Sequence, residues 1–228
     1  EGYELELSSP QVILMEEDSE ILEPYEEVLI EVDDGFQGAV INAFGSRKAE
    51  MQEMNITSIG TVRMIFIVPT RGMLGFRSEF LMLTRGTGIM YQNFYKYRKY
   101  KGEIVRRQTG VLVSMNEGKA VGFALFGLQN RGEIFINPGD DIYEGMIVGT
   151  HNKGGDLTVN AQKKKKLTGV RSSGADEVID LIPPREITLE FALEFIQEDE
   201  LVEVTPESIR IRKKYLKEHE RKRSRKAS

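Results

Sequence analysis

The sequence predicts an α+β protein with two structural parts, and three observations support this. Between residues 25 and 98, hydrophobic residues recur alternately with strand and helix periods, and Gly, Pro or Asp separates the segments. From residue 99, short apolar runs alternate with turn sequences such as Asn137–Asp140. A long polar segment then begins near His151 and has neither period. We therefore expect a βαββαβ domain followed by a strand-rich domain with a long basic loop.

The first domain is predicted element by element. In chain order, the expected elements are strand Val28–Val32, helix Gln37–Ser46, strand Met51–Ile56, strand Val62–Val68, a helix with Met73, Phe76, Phe80 and Leu83 on one face, and strand Ile89–Tyr97. This order is that of a ferredoxin-like split βαβ unit, an antiparallel sheet with both helices on one face. Ahead of it, two strands are expected within residues 1–15, the second over Val12–Met15, and the acidic stretch Glu16–Glu23 is expected to be a linker.

The second domain is predicted from turns and short apolar runs. Val111–Met115 and Ala120–Leu125 flank Asn116–Lys119, which predicts a hairpin. Further strands are expected at Ile134–Ile136, Ile142–Tyr143, Met146–Gly149, Val178–Ile182, Leu201–Val204 and from Ile209, with Thr188 capping a helix. The strands before residue 150 favour a barrel-like or meander body. The strand from Ile209 is expected to expose a basic side, and the tail from Lys213 is too polar to bury, so it should be helical or disordered.

Charge is distributed unevenly along the 228 residues, whose net charge is −5. Acidic residues crowd the stretch from Glu16 to Asp34, and basic residues crowd Lys163–Lys166 and the end from Arg210 to Lys226. A chain polarised in this way can hold a polyanion on one face. Since there is no cysteine, disulfides and zinc–thiolate sites are excluded. No apolar run approaches the roughly 18 residues of a membrane span, no signal peptide is expected, and the start at Glu1 suggests a fragment of a longer protein.

The basic loop is predicted over Asp156–Gly174, after the glycine-spaced segment His151–Gly155. Long structureless loops in compact domains are usually functional or disordered. Four consecutive lysines, Lys163–Lys166, repel one another unless a polyanion is near, and loop hydroxyls can add hydrogen bonds to phosphate or ribose. The loop either touches RNA or is a solvated surface loop.

No catalytic, cofactor or metal site is predicted. The sequence lacks G-x-x-x-x-G-K-[ST], since Gly118-Lys119 is followed by Ala120. His151 could contact phosphate or ribose or transfer a proton, or it is an ordinary surface histidine. The carboxylate pairs, such as Asp140–Asp141, fit solvated turns better than metal ligands. Four aromatic residues near Lys96 and Arg98 could stack RNA bases or simply suit a half-buried strand: Tyr91, Phe94, Tyr95 and Tyr97.

Several longer motifs resemble one family. They are Glu23–Glu26, Gly38–Val40, Ser46–Glu50, Arg71–Phe80, Thr84–Gly88, Gly118–Gln129, Asp156–Asn160 and Leu201–Pro206. With them, the whole chain resembles the C-terminal part of the BipA/TypA family of ribosome-associated translational GTPases. The run Lys163–Lys166 is more basic than the family pattern at that place.

The resemblance implies a domain organisation and a function. Residues 1–22 correspond to the end of domain III and a linker, residues 23–98 to an elongation factor G-type domain V, and residues 99–228 to a family-specific C-terminal domain. Family members bind the ribosome in the GTP state, and the loop His151–Ser173 matches the element that approaches the peptidyl-transferase centre and the acceptor end of an A-site tRNA. The resemblance further implies a cytoplasmic monomer active in ribosome assembly and the stress response. It places GTP and Mg²⁺ in an N-terminal GTPase domain, so no cofactor is expected in this chain.

Taken together, the sequence predicts a non-catalytic, RNA-binding half of a translational GTPase. The residues expected to neutralise rRNA or tRNA phosphates are Lys163, Lys164, Lys165, Lys166 and Arg171, and the expected secondary contacts are His151, Lys153, Thr168 and Ser173. The alternative is a protein-interaction module that docks a ribosomal protein through its acidic face and sheet, with the basic loop incidental.

Overall fold

The structure is a computed structural model that describes residues 2–57, 60–104, 107, 109–164 and 180–227. The chain divides into two compact units. The central unit is Pro10–Arg106, and the C-terminal unit combines Glu1–Ser9 with Arg107–Ser228. Residues 1–22 are thus shared between the two units, and their assignment to the end of a preceding domain stays a prediction. Within the described ranges, no helix has the length and apolar character needed to cross a membrane.

The secondary structure alternates short strands and helices. The strands are β1 (Leu5–Ser8), β2 (Met15–Glu17), β3 (Glu20–Asp33), β4 (Glu50–Ile56), β5 (Thr61–Pro69), β6 (Ile89–Lys99), β7 (Gly110–Ser114), β8 (Gly118–Lys119), β9 (Asp141–Ile142), β10 (Ile147–His151), β11 (Leu157–Val159), β12 (Glu200–Val204) and β13 (Ile209–Lys213). The helices are α1 (Gln37–Ser46), α2 (Thr70–Met73), α3 (Phe76–Leu83), α4 (Gly122–Gln129), α5 (Leu189–Phe195) and α6 (Glu218–Ala227).

The central unit has the predicted βαββαβ order, and its four main strands form an antiparallel sheet ordered β4-β5-β3-β6. Val40 and Phe44 of α1 and Phe76 of α3 are buried in one cluster with alternate residues of β3 and β5, so both helices cover the same face. Phe44 stacks on Phe66 with ring centroids 4.3 Å apart and meets Phe76 edge-on at 4.8 Å. Aromatic burial of this kind dominates core energetics. The ferredoxin-like prediction is confirmed.

Three details of the central unit differ from the prediction. The strand expected over Val12–Met15 is not formed, since β2 begins only at Met15. The acidic stretch after Met15 is not a linker, because β2 and β3 form a hairpin around Asp18 and Ser19. These two residues have φ of 50° and 65°, the left-handed conformation that two-residue hairpin turns require and that Asp tolerates. The helix predicted from Met73 is divided at Gly75, whose φ is 72°.

A buried ion pair ties the chain after β6 to the central unit. Glu23 is fully buried, and its carboxylate accepts hydrogen bonds from Arg71 Nε at 2.5 Å and Nη2 at 3.3 Å. It also accepts one from the backbone N–H of Lys101 at 2.8 Å, and Arg71 donates to the carbonyl of Gly102. These bonds explain why the chain just after β6 belongs with the central unit.

The C-terminal unit is built around β7, all five of whose residues are buried. It pairs antiparallel with β10 and parallel with β11. Leu112 faces one hydrophobic cluster, together with α4, while Val111 and Val113 face a second cluster with α5, β12 and β13. A second sheet is ordered β1-β12-β13, and β8 pairs with β9. The strand β7 therefore lies between two cores, which is why its sequence is continuously apolar.

Several predictions for this unit were wrong. The run Ala120–Leu125 is not a strand, since helix α4 begins at Gly122. An apolar run of this length has no period that separates a buried strand from a buried helix. The hairpin at Asn116–Lys119 is also absent, because β8 pairs with β9 rather than with β7. Ile134–Ile136 contributes only a bridge from Ile134 to Gly149, and residues 180–182 of the strand expected at Val178–Ile182 carry no strand, while 178 and 179 lie outside the described residues.

Other predictions for the C-terminal unit were right. Thr188 caps α5, since its side-chain oxygen accepts a hydrogen bond from the N–H of Phe191 at 3.2 Å. The strands β12 and β13 form where expected, and the tail from Glu218 is helical.

The last residue of β13 is buried, contrary to the expectation that the chain from Lys213 is too polar to bury. Lys213 is 1% exposed, and its ammonium lies 2.8 Å from Asp156 Oδ2, 2.9 Å from Asp199 Oδ2 and 2.8 Å from Glu200 Oε1. Glu200 also pairs with Arg107 Nη2 at 2.7 Å. Burial disfavours the charged ammonium, but attraction by the three carboxylates prevails and raises the pKa of Lys213, so the group remains charged. We call these five residues the Lys213 cluster.

We expect Lys213→Met to lower the free energy of unfolding by about 3 kcal/mol, because it leaves buried carboxylates without their cation. Urea denaturation followed by far-ultraviolet circular dichroism would measure the change. Lys214→Met is the matched control, since Lys214 is exposed and should cost less than about 0.5 kcal/mol. Equal effects of the two substitutions would show that the cluster does not stabilise the fold.

A second prediction concerns Glu26 on β3, whose Oε2 is buried without a hydrogen-bond partner within the described ranges. Burial raises the pKa of Glu26, and a hydrogen bond from Thr70 only partly opposes this. The folded state therefore loses stability as the pH rises from the unfolded pKa near 4.5 through the higher folded pKa. Glu26→Gln should raise the free energy of unfolding at pH 7 by about 1 kcal/mol, and the gain should vanish below about pH 4. Exposed Glu27→Gln is the control; if it matched Glu26→Gln in a denaturation series against pH, burial of Glu26 would not be the cause.

Candidate functional site

The chain leaving β10 makes a tight turn against β7. His151 is the last residue of β10, and its Nδ1 lies 2.8 Å from the carbonyl oxygen of Gly155. The N–H of Gly110 donates to the carbonyl of Lys153 at 2.9 Å. A Cβ at Gly110 would lie 1.9 Å from the carbonyl oxygen of Gly155, so only glycine allows this approach. The turn at residues 151–155 is therefore an ordered structure and not the beginning of a free loop.

Asp156 anchors the chain that follows the turn at residues 151–155. Its Oδ1 accepts a hydrogen bond from the N–H of Val111 at 3.2 Å, and its Oδ2 belongs to the Lys213 cluster. Residues Leu157–Val159 then form β11, which corrects the prediction that the loop is structureless from Asp156. The apolar residues Leu157 and Val159 both pack against the core of the unit, a signal too short to read as a strand from sequence.

Backbone hydrogen bonds hold the segment as far as Ala161. The carbonyl of Val159 accepts from the N–H of Met115, and that of Ala161 accepts from the N–H of Val121, both at 2.9 Å. Lys163 and Lys164 follow directly and are exposed. The basic run thus begins two residues after a firmly held backbone.

The structure does not gather the predicted contact residues into one cluster. His151 pairs with Gly110 at one end of β7, whereas Val159 pairs with Ser114 at the other. At 3.3 Å per residue, the two ends lie about 13 Å apart. His151 is half-buried and Lys153 is exposed at the first end, and Lys163 and Lys164 lie beyond the second. The remaining predicted contacts lie outside the described residues: Lys165, Lys166, Thr168, Arg171 and Ser173.

A groove missed by the sequence reasoning lies at the lysine end. It has a volume of about 630 Å³ and separates α4 from residues 157–163. Its lining comprises Phe123, Ala124, Phe126, Gly127, Leu128, Arg131, Leu157, Thr158, Val159, Asn160 and Lys163. The lining is mainly apolar and holds two cations, Arg131 and Lys163, and among these described residues there is no carboxylate. The signal in the sequence was the apolar run from Ala120, of which Ala120–Leu125 was predicted as a strand and Gly122–Gln129 is helix α4. We call this the α4 groove.

A second cavity, of about 450 Å³, surrounds the Lys213 cluster and is lined also by Gln197, Tyr215, Arg221 and Ser224. Its anionic and cationic groups largely pair with one another, so the ion pairs within the wall leave little charge to attract a ligand. Over the described ranges, no group of three His, Asp or Glu side chains could hold a metal ion. We assign this cavity a structural role.

The aromatic residues of β6 do not share one surface. Tyr91 pairs with Leu29 on the open face of the sheet, while Phe94 pairs with Glu26 on the opposite face. The ring centroids of Phe94 and Tyr97 lie 6.0 Å apart, and the ammonium of Lys96 lies over the ring of Tyr95, 4.9 Å from its centroid. The regular alternation of β6 places Tyr91 and Phe94 on opposite faces, and the β-bulge at Tyr95 returns Tyr97 to the face of Phe94. Base stacking by these residues stays a prediction, but four bases cannot stack on them side by side.

The open face of the central sheet is apolar and mainly acidic. Leu29 lies between Tyr91 and Ile65 across the strands, and Ile65 pairs with Glu53. Exposed Glu27 shares this face through its pairing with Ile67. Arg63 shares this face as well, 3.9 Å from Glu31 across the strands, so the face carries both signs of charge, whereas the charged residues that line the α4 groove are cations.

Comparison with known proteins assigns both parts of the chain to families. Residues 109–218 match the TypA/BipA C-terminal domain, and residues 20–108 match the elongation factor G C-terminus. A crystal structure from Thermus thermophilus covers 36% of this chain and 12% of its own at 20% identity and a TM-score of 0.35, a likeness too weak to add structural information.

Curated relatives are similar over the whole length of the chain. The large ribosomal subunit assembly factor BipA of Escherichia coli K12 is 51% identical over 228 residues, which are 100% of this chain and 38% of that protein. The protein of the same name from Haemophilus influenzae is 51% identical over 98% of this chain and 36% of its own length. This chain therefore spans somewhat over a third of the length of these relatives. With both domain matches in consecutive order and half of its residues identical, the chain belongs to the BipA/TypA family and corresponds to its C-terminal part.

Proposed function

We propose that the chain is the non-catalytic, ribosome-binding part of a translational GTPase, and that its basic segment contacts rRNA and the acceptor end of an A-site tRNA. The observation that carries this proposal is the placement of Lys163 and Lys164, which are exposed immediately after a backbone held to Ala161. Binding residues are commonly carried on loops that a rigid scaffold positions. The curated relatives are named as large ribosomal subunit assembly factors, which supports the ribosome as the partner.

The proposed chemistry is neutralisation of phosphate charge. Each lysine that contacts a phosphate releases condensed counterions, so the affinity falls with salt by a log–log slope of about −0.7 to −0.9 per contact. Exposed ammonium groups retain their mobility and suit a phosphate backbone without reading its sequence. GTP binding, Mg²⁺ and hydrolysis belong, in this proposal, to another part of the longer protein, and the protein works as a cytoplasmic monomer.

We expect the substitution of Lys163–Lys166 by alanine to weaken salt-sensitive binding to the large ribosomal subunit. Loss of four phosphate contacts should lower the magnitude of the log–log salt slope by about 3. Cosedimentation with ribosomes and with isolated large subunits, across about 50 to 200 mM salt, would measure the slope.

The control variant replaces four other exposed cations, Arg63, Lys99, Lys119 and Lys222, by alanine. The total charge change is the same in the two variants, because each removes four cations. In the control variant each cation already pairs with a carboxylate, so little positive charge that is available to RNA is lost. Similar loss of binding in the two variants would mean that net charge, and not the basic segment, governs the interaction.

Asp156→Ala tests whether the contacts of Asp156 strengthen RNA binding by holding the chain that leads to the basic segment. The substitution removes a negative charge, so electrostatic attraction to RNA alone would become stronger. We expect binding to become weaker, about three- to tenfold, because the segment loses its bonds to Val111 and Lys213 and must be ordered on binding. The control is Asp180→Ala, which removes the same charge at an exposed position and should not weaken cosedimentation. If both substitutions weakened binding, or if neither did, Asp156 would not anchor the basic segment.

The second candidate function is docking of a ribosomal protein, which the acidic and apolar open face of the central sheet favours. A basic, partly apolar protein surface would complement Leu29, Tyr91 and Glu27. Binding that survives the Lys163–Lys166 change but is lost on Leu29→Lys would support this second candidate against the first.

A further inference from the structure

Helix α4 exposes an apolar face. Ala124, Leu125 and Leu128 are buried in the core of the unit, but Phe126 is 50% exposed. Phe123, Phe126 and Gly127 are spaced i, i+3 and i+4, so they share the face that borders the α4 groove. A large aromatic side chain half open to solvent beside a small residue forms a slot with one flat wall.

The groove is complementary to an anion that carries an apolar plane. Arg131 and Lys163 are its charged lining residues, and both are exposed. The polar groups of Thr158 and Asn160 lie on the wall opposite α4. Its volume of about 630 Å³ falls within the range of sites that enclose a small molecule. An acidic peptide would use the cations but not the flat aromatic wall, whereas a nucleotide uses both.

We propose that the α4 groove binds one unpaired nucleotide of RNA, with its base stacked on Phe126 and its phosphate at Arg131 and Lys163. The inference rests on the proposed function, since it takes RNA to be the partner, and it adds a site for a base to the phosphate contacts of the lysine run. Base stacking on an aromatic side chain tolerates any base and is characteristic of single-stranded recognition. Because Lys163 belongs both to the α4 groove and to the run Lys163–Lys166, one RNA strand can contact the groove and the run together.

The absence of tryptophan from the sequence makes a direct test possible. Phe126→Trp introduces a single tryptophan into the full 228-residue chain. Titration with a single-stranded octamer of adenylate should quench its fluorescence saturably, because a stacked base quenches indole emission. An abasic octamer with the same number of phosphates should bind, as followed by competition, but should leave the fluorescence unchanged.

Met82→Trp is the reporter control, since Met82 is 76% exposed and lies on α3 of the central unit, away from every predicted RNA contact. It should show no saturable quenching by either octamer. Phe126→Ala should weaken binding of the adenylate octamer by about tenfold and leave binding of the abasic octamer unchanged.

Gly127→Leu tests the groove without removing any contact. A Cβ at Gly127 would meet no atom within 4 Å, and glycine is a poor helix former, so the substitution should preserve or raise thermal stability. The leucine side chain should fill the groove and weaken binding of the adenylate octamer at least as much as Phe126→Ala. Loss of binding in a variant of undiminished stability cannot be attributed to unfolding.

The outcomes separate this inference from the proposed function. If the octamer bound but the introduced indole of Phe126→Trp were not quenched and Gly127→Leu bound normally, the nucleotide site would be wrong, while salt-sensitive ribosome binding through Lys163–Lys166 would stand. If that indole were shielded from acrylamide in the free protein and insensitive to RNA, the groove would be occupied by the chain itself, which also overturns the inference. Quenching by a basic or acidic peptide instead of RNA would assign the groove to a protein partner and reject it.

Discussion

The buried ammonium of Lys213 is the interaction on which the C-terminal unit depends. It joins β13 to Glu200, which begins β12, to Asp199 just before that strand, and to Asp156 ahead of β11. Removing a partner from a buried ion pair is strongly destabilising, so these three segments keep their relative positions or lose the cluster together. Arg107 completes the arrangement by donating to both carboxylate oxygens of Glu200, with its guanidinium over the ring of Phe195 at 4.2 Å.

Around this cluster, β7 supplies the rigid part of the unit. Its two faces enter different hydrophobic cores, and its two edges carry β10 and β11. The chain approaches the basic run along one of these edges, after the turn at residues 151–155 and the carboxylate of Asp156. A strand fixed on both faces and both edges gives the exposed lysines a defined origin, which reduces the ordering that binding requires.

Each unit has one apolar surface that is buried in its core and one that is exposed to solvent. The helix-covered face of the central sheet is closed by Phe44, Phe66 and Phe76, and its opposite face presents Leu29 and Tyr91 among carboxylates. In the C-terminal unit, α4 buries one side and leaves Phe126 open beside two cations. The sign of the surrounding charge distinguishes the two open surfaces, since carboxylates suit a basic protein and cations suit a nucleic acid.

The sequence alone determined the βαββαβ order of the central unit, because the strands and helices of that order carry their own periods and are bounded by Gly, Pro or Asp, as the agreement for α1 and β5 shows. It also determined the family, through motifs such as Arg71–Phe80, and the capping of α5 by Thr188. Only the tertiary structure decided the state of Gly122–Gln129, since an apolar run buried on several sides has no distinguishing period. It alone revealed that Lys213 is buried and that Asp156 anchors the basic run. The partners of these groups lie on distant segments, 45 residues away along the chain in the case of Asp156 and Val111, and no local pattern encodes such pairings.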